Sequence, residues 1–369
     1  MKLCILYNYA QHYRTNIFTL IDKVFNCDFV FGDSMSDVKK MDYSLLKHPV
    51  TETHTRRIFG GWYYQPGFVR KLFQGYTHYI LLGETRAIST WLFLIMSKFF
   101  PRKRVYLWSH GWYGKETTSE RIVKKFFFRL PNGGVFLYGN YARDLMINEG
   151  VSASKLFVIH NSLAYDQQIS IRKNLKKSSV YTDYFKNENF NLIFVGRLTS
   201  VKKLDMILES IAINREKGKI YNLTLIGAGE KKESLEKLTE KLGLQDNVWF
   251  YGPCYDEKKL SELIYNADLC VSPGNVGLTA MHSLVFGTPV ITHDDFSHQM
   301  PEFESIKEKE TGIFFKYDNL ESLASKINEW FDSVRDRECV RNKCMKEVDD
   351  FWTPYYQIEI LKKGLKILK

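Results

Sequence analysis

The amino-acid sequence predicts an α/β protein built from two doubly wound parallel sheets. Short β-branched or aromatic runs alternate with segments of helical period along the whole chain, the pattern of repeated βαβ units. Many of those runs end on glycine or a polar residue, where ligands bind in such sheets. A chain of 369 residues, 44% apolar and 15% aromatic, can bury two cores.

In the first half the strand-like runs are KLCILY, CDFVFGD, HYILLGE (His78 to Glu84), RVYLWSH (Arg104 to His110), GVFLYGN (Gly134 to Asn140) and KLFVIHNS (Lys155 to Ser162). Leu163 to Glu188 is polar, rich in Lys and Ser and weakly periodic, as a linker with its flanks would be. In the second half NLIFVG (Asn191 to Gly196), LTLIGAG (Leu223 to Gly229), NVWFYG (Asn247 to Gly252), LCVSP (Leu269 to Pro273) and GTPVIT (Gly287 to Thr292) carry the rhythm on. Phe351 to Lys369 has the pattern of an amphipathic helix beginning just after Pro354. The expected boundaries are a first domain over 1–165, a linker over 166–189, a second domain over 190–351 and a terminal helix over 352–369. No solenoid repeat or low-complexity tract is visible.

Charge divides unevenly. Residues 1–180 hold 26 Lys and Arg against 12 Asp and Glu, whereas 181–369 hold 26 against 30. A basic first half suits a membrane, a lipid-linked phosphate or a nucleic acid, or serves solubility alone. No nucleic-acid recognition motif is present and the second half is acidic, so no nucleic-acid partner is expected. Thr90 to Arg104 and Ser119 to Gly133 interleave cations with aromatic and aliphatic residues, which fits either an interfacial helix or a core helix with a solvated face. Six scattered cysteines without ligand-like spacing read as thiols in a reducing compartment. The start moves straight into a strand without a signal-peptide core, and the apolar run STWLFLIM is too short to span a bilayer. These features lead to the expectation of a cytoplasmic protein.

NLIFVGRLTSVKK is the most telling segment. An apolar strand ends at Gly196, a loop carries Arg197, and Lys202 follows near the next helix. Backbone N–H groups at such a junction favour an anion, and Arg and Lys add fixed charge, so the segment suits a diphosphate. Both cations as solvated surface charges is the competing reading.

The order GRL-xxx-K (Gly196 to Lys202), Gly227-x-Gly229, Phe250-x-Gly252, ADLCVSP (Ala267 to Pro273), Gly277-Leu278 and GTPVI resembles the donor-binding domain of family 4 glycosyltransferases of the GT-B fold. The resemblance runs from Asn191 to Phe315 and extends in outline to the whole chain. It implies two Rossmann-like doubly wound domains facing a cleft, with acceptor bound by the first domain and donor by the second. The terminal helix would return to the first domain. It further implies transfer of a sugar from a nucleoside diphosphate sugar, as co-substrate, to a glycan or polyprenyl-linked acceptor, retaining configuration, with no cofactor and no metal. A role in bacterial surface polysaccharide, capsule or lipopolysaccharide assembly would follow, and with it a peripheral contact of the cytoplasmic protein at the inner face of the membrane.

One departure stands out. The family carries a Glu-x7-Glu element around the Gly-Leu pair, and alignment on Gly277 and Leu278 puts Gly274 and His282 at those positions. His282 can still bond a ribose hydroxyl, or be satisfied by its own helix and loop. Asp294, Asp295 or Glu302, in the segment after GTPVIT, could supply the missing carboxylate. The donor set implied by the resemblance is Gly196, Arg197, Lys202, Gly227, Gly229, Phe250, Gly252, Asn275, Gly277, Leu278 and His282. His110, with Gly111, resembles the family histidine that approaches the donor sugar, and Arg197 and Lys202 would offset charge on the leaving diphosphate. Tyr9, His12, Tyr13, Arg14 and Trp112 lie in loops placed to meet acceptor. The aspartates and histidines of 293–305 match no metal-ligand spacing. A nicotinamide enzyme would need a third glycine after Gly227-x-Gly229, which is absent. A non-catalytic sugar-nucleotide or glycan binder remains the alternative, because both glutamates are replaced.

Overall fold

Five consecutive buried residues, Leu3–Tyr7 (β1), begin the computed structural model, and a strand buried on both faces belongs inside a sheet covered by helices. The structure describes residues 1–33, 38–333 and 336–366. It divides into two compact units, Met1–Ala164 with Thr353–Lys369, and Tyr165–Trp352.

In the first unit β1 is followed by α1 (Thr15–Val24), β2 (Cys27–Gly32) and β3 (Val50–Thr53). A small antiparallel pair comes next, β4 (Arg56–Arg57) with β5 (Tyr63–Tyr64). Then come β6 (His78–Leu82), α2 (Ile88–Ser97), β7 (Arg104–Ser109), α3 (Thr118–Arg129), β8 (Gly134–Leu137), α4 (Asn140–Asn148) and β9 (Leu156–Val158). Among the described residues the main sheet runs β3-β2-β1-β6-β7-β8-β9, parallel throughout. The chain steps outward from β1 to β3 and then returns to the other side of β1 at β6. That reversal opens a crevice at the strand ends. Helix α3 starts on a capping box, Thr117 with Glu120, which fixes the end of the loop that follows β7.

The second unit opens with α5 (Tyr165–Arg172) and α6 (Val180–Phe185). It continues through β10 (Phe190–Val195), α7 (Asp205–Glu216), β11 (Tyr221–Ile226), α8 (Lys232–Lys241), β12 (Val248–Gly252), α9 (Glu257–Asn266) and β13 (Leu269–Val271). It ends with α10 (Leu278–Val285), β14 (Val290–His293), β15 (Gly312–Phe315), α11 (Leu320–Ser333) and α12 (Arg337–Phe351). Its parallel sheet runs β12-β11-β10-β13-β14-β15, so the reversal lies between β10 and β13. Helix α13 (Pro354–Gly364) packs in the first unit, with Ile358 and Leu361 in the core shared by β1 and α1. Residues 367–369 of the expected terminal helix lie outside the described residues.

The expected linker, 166–189, takes a different form: it holds α5 and α6, both in the second unit. Tyr181 and Phe185 are buried, the Tyr181 hydroxyl donates to the Leu263 carbonyl at 2.8 Å, and Tyr184 stacks on Trp249 with ring centres 4.0 Å apart. The polar composition belongs to the solvated faces of short helices: three aromatics anchor α6, and Arg172 of α5 pairs with Asp349 at 2.7 Å.

Candidate functional site

At the reversal of the second sheet, the loop after β10 lies against the loop after β13. The Gly274 N–H donates to the Lys202 carbonyl at 3.0 Å, and the Thr279 hydroxyl donates to the Val195 carbonyl at 2.9 Å. Lys202 ends a short 3-10 turn, Ser200–Lys202, ahead of α7, and its ammonium donates to both the backbone and side-chain oxygens of Asn275, at 2.6 and 2.8 Å. Gly277 caps α10 with φ 52 and ψ −147, a backbone shape that favours glycine, and Leu278 starts the helix. Arg197 is exposed. Thus Gly196, Arg197, Lys202, Asn275, Gly277 and Leu278 come together at one strand-end crevice, two cations beside a helix N-terminus.

Burial brings the Lys202 ammonium down to about 8, with the charge of Arg197 acting the same way and Glu302 opposing. An anion beside Lys202 would favour the protonated form. Above pH 8 the free protein therefore gives up a proton that the complex keeps, and binding must take one up. Diphosphate affinity is expected to fall by up to about tenfold per pH unit above pH 8. Titration calorimetry from pH 7 to 9.5 checks this, and Lys202→Ala should lose the alkaline limb.

Gly227 and Gly229 let backbone approach backbone. A Cβ on Gly227 would stand 1.8 Å from the Gly196 carbonyl oxygen, and one on Gly229 would stand 2.2 Å from that of Leu198. Their lack of side chain lets the loops after β10 and β11 close on each other, sealed by Leu198 N–H to Ala228 O at 2.9 Å. Gly252 belongs to the same seam, its carbonyl accepting from the Gly227 N–H at 2.9 Å, while Phe250 is half-buried on β12.

Gly274 is equally constrained, since a Cβ there would lie 2.0 Å from the Val201 carbonyl oxygen. His282 is engaged: its Nε2 pairs with Glu257 Oε1 at 3.0 Å, and Gln168 donates to the same oxygen at 3.3 Å. Glu257 escaped the sequence reading, because only the fold brings the first turn of α9 beside α10. Gln299 escaped it too. Its amide accepts from the Val276 N–H at 2.8 Å and donates to Thr292 at 2.8 Å, tying the loop after β13 to the one after β14. Of the three candidate carboxylates, Asp294 accepts from the Tyr317 N–H and Asp295 is paired with His298 at 2.7 Å. Glu302 is buried and acts on Lys202. No group of three or more His, Cys, Asp or Glu among the described residues is placed to hold a metal ion.

The reversal of the first sheet holds a cavity of about 690 Å3, lined in part by Tyr13, Arg14, Ser109, His110 and Tyr138. Burial, then the charges of Arg14 and Lys124, push the His110 imidazole down to about 4, so it is neutral at pH 7. Ser109 accepts from the Gly111 N–H at 3.0 Å and donates to Gly83 O at 2.6 Å, which fixes the loop that carries His110. Three expected acceptor residues lie outside this lining. The Tyr9 hydroxyl donates to Val38 O at 3.1 Å, and His12 turns to Lys39 O at 3.2 Å. Trp112 is buried among apolar residues with Phe128 and Phe127.

Residues 183–345 match the family model described as Glycosyl transferases group 1. This segment is a glycosyl transferases group 1 domain. The match bears out the family 4-like resemblance seen from Asn191 to Phe315. An uncharacterized 41.2 kDa protein in the cps region of Klebsiella pneumoniae is 28% identical over 52% of this chain and 49% of its own length. An uncharacterized glycosyltransferase of Methanocaldococcus jannaschii, MJ1607, is 25% identical over 56% of this chain and 50% of its own length. The chain thus spans about half the length of these curated relatives. Among solved structures, Anabaena Alr3699/HepE in complex with UDP matches with a TM-score of 0.73 over 100% of both chains at 16% identity. That likeness establishes the fold, two Rossmann-like parallel-sheet units of the GT-B type.

Proposed function

We propose that the protein transfers a sugar from a nucleoside diphosphate sugar to a glycan or polyprenyl-linked acceptor, in assembly of a bacterial surface polysaccharide such as capsule or lipopolysaccharide. The observation that carries this is the pair of cations, Arg197 and Lys202, at the reversal of a sheet within a glycosyl transferases group 1 domain. The UDP of the HepE complex and the cps-region relative support the donor class and the setting. In this reading Arg197 and Lys202 offset charge on the leaving diphosphate without a metal, a contribution of about 3 kcal/mol to the barrier for a well-aimed donor. Backbone around Phe250 to Gly252 meets the base, and His282, steadied by Glu257, meets the ribose. Neutral His110 holds a hydroxyl of the sugar, and Tyr13 and Arg14 meet acceptor. No carboxylate can occupy position 274. Departure of the diphosphate breaks the anomeric C–O bond and leaves an oxocarbenium-like ion; entry of the acceptor hydroxyl on the same face, its proton passing to the freed phosphate oxygen, therefore fits better than a glycosyl-enzyme intermediate.

Release of nucleoside diphosphate from UDP-, GDP- and ADP-sugars by the full chain tests the proposal. Release from one class, lost in Lys202→Ala, supports it. Tight nucleotide binding without release from any sugar, with acceptor extracts added, favours a non-catalytic binder, the reading to which the closed-off Gly274 position gives weight.

The reading includes contact with the inner face of the membrane by the first unit. Trp91 of α2 stacks on Phe126 of α3 at 6.0 Å, and Phe126, Ile122 and Phe99 are 59%, 64% and 75% exposed. Lys98, Arg121, Lys125 and Arg129 stand in the same two segments. No helix among the described residues is long and apolar enough to cross a membrane. Vesicles containing anionic lipid should sediment the protein, and Ile122→Glu with Phe126→Glu should weaken that roughly tenfold or more. Equal sedimentation would remove the membrane from the account.

A further inference from the structure

Arg14 is a buried cation with no carboxylate partner among the described residues. It is 7% exposed, and its Nη2 donates to the Tyr138 hydroxyl. Its guanidinium carbon stands 5.1, 5.4 and 5.3 Å from the ring centres of Tyr7, Trp108 and Tyr138. Its Nε is buried with no hydrogen-bond partner, and no ion pair reaches it among the described residues. Lys124, which lines the same cavity, is treated differently by the fold: its ammonium is held by Glu116 at 2.6 Å and by the Gly111 carbonyl at 3.0 Å.

Placing a guanidinium out of water without a counter-charge is costly, and aromatic faces recover only part of that cost. The remaining forked donors are matched by a carboxylate or a phosphate, which accepts two parallel N–H bonds. Two more groups lining the cavity have buried polar atoms without partners, the His110 Nδ1 and the Asn8 Oδ1. A neutral imidazole nitrogen and an amide oxygen suit hydroxyls. At about 690 Å3 the cavity is of small-ligand size, and it lies where a doubly wound sheet binds its ligands.

We propose that this cavity binds a sugar bearing an anionic group, phosphate or carboxylate, and that Arg14 receives the charge while His110 and Asn8 meet hydroxyls. That the ligand is a sugar rests on the glycosyl-transfer reading; that it is an anion rests on Arg14 alone. An acceptor with its charge at Arg14 is oriented before transfer, and a neutral analogue leaves the guanidinium uncompensated. Selectivity for the charged sugar follows.

Four probes test this without nucleotide: glucose 6-phosphate, glucuronate, glucose and inorganic phosphate, titrated into the full chain by calorimetry. The Arg14 Nε–H resonance, assigned by its absence in Arg14→Lys, is followed alongside. Either anionic sugar should bind roughly ten- to a hundredfold more tightly than glucose and shift that resonance in the unaltered protein. A preference for one of them identifies the source of the charge. Arg14→Gln should bind the charged and neutral sugars alike, and the resonance keeps the test valid if that variant folds poorly. Probes that leave the resonance unmoved, with anionic sugars binding no better than glucose, overturn the inference and leave Arg14 a structural cation in an aromatic box. If nucleotide sugars are turned over while this happens, only the inference falls. If Arg14 responds but no nucleotide sugar is consumed, the glycosyl-transfer reading falls and the anion site stands.

Discussion

Lys202→Ala is expected to lower nucleoside diphosphate affinity and sugar-nucleotide turnover, the latter by roughly a hundred- to a thousandfold. The ammonium is held in place before any ligand arrives, by two oxygens of Asn275, and its partly desolvated setting strengthens its attraction for an anion. Removing it takes away that charge and leaves the Asn275 oxygens without their donor. The fold itself should survive, because relief from burying an ammonium offsets the lost hydrogen bonds, and Tm should move by only a few degrees. Lys202→Arg should recover part of the affinity, since the charge returns without the fit to Asn275. Binding by calorimetry and turnover by nucleotide release check both. Unchanged affinity in the alanine variant would remove Lys202 from the anion site.

Gly274→Glu, which writes in the carboxylate that the family resemblance implies at this position, is expected to damage the protein instead of improving it. The new Cβ would meet the Val201 carbonyl oxygen at 2.0 Å and the Lys202 Cα at 2.7 Å, both backbone atoms that no rotamer change can move away. The loop after β10 would have to leave the one after β13, breaking the Gly274 N–H to Lys202 O bond and displacing the ammonium. A loss of about 3 kcal/mol, the upper end of the usual cost of overpacking, is expected, and nucleotide binding should vanish with it. Gly274→Ala should show most of the same loss, because the clash begins at Cβ. Urea denaturation midpoints and nucleotide calorimetry read both. A stable Gly274→Glu protein with increased turnover would mean that the loops are not joined in this way.

The two parallel sheets were legible because their inner strands are apolar on both faces, as β1 and β11 are at every position. What stayed hidden lies at the edges and in short contacts. β3, Val50–Thr53, reads VTET and buries none of its residues, so no pattern marks it. β15, Gly312–Phe315, is four residues long. In the site, Arg197 and Lys202 stand out because a cation after a strand-ending glycine has a local physical meaning. Glu257 and Gln299 have none in sequence, being placed by helices and loops that meet only in the fold. The glycines of 227–229 were conspicuous, yet their reason, backbone meeting backbone, needs coordinates. Trp112 lies in a loop as read, yet it is buried in the core against Phe128 of α3.

Nucleotide binding by the full chain, measured as thermal stabilisation by UDP, GDP, ADP and CMP beside Arg197→Ala and Lys202→Ala, decides what the β10–β13 crevice holds. A nucleoside diphosphate is expected to add about 2.7 kcal/mol of stability at a hundred times its dissociation constant, and both variants to lose it. A chain that none of the four stabilises, or whose stabilisation persists undiminished in both variants, would contradict the assignment of the β10–β13 crevice as a nucleotide-sugar site.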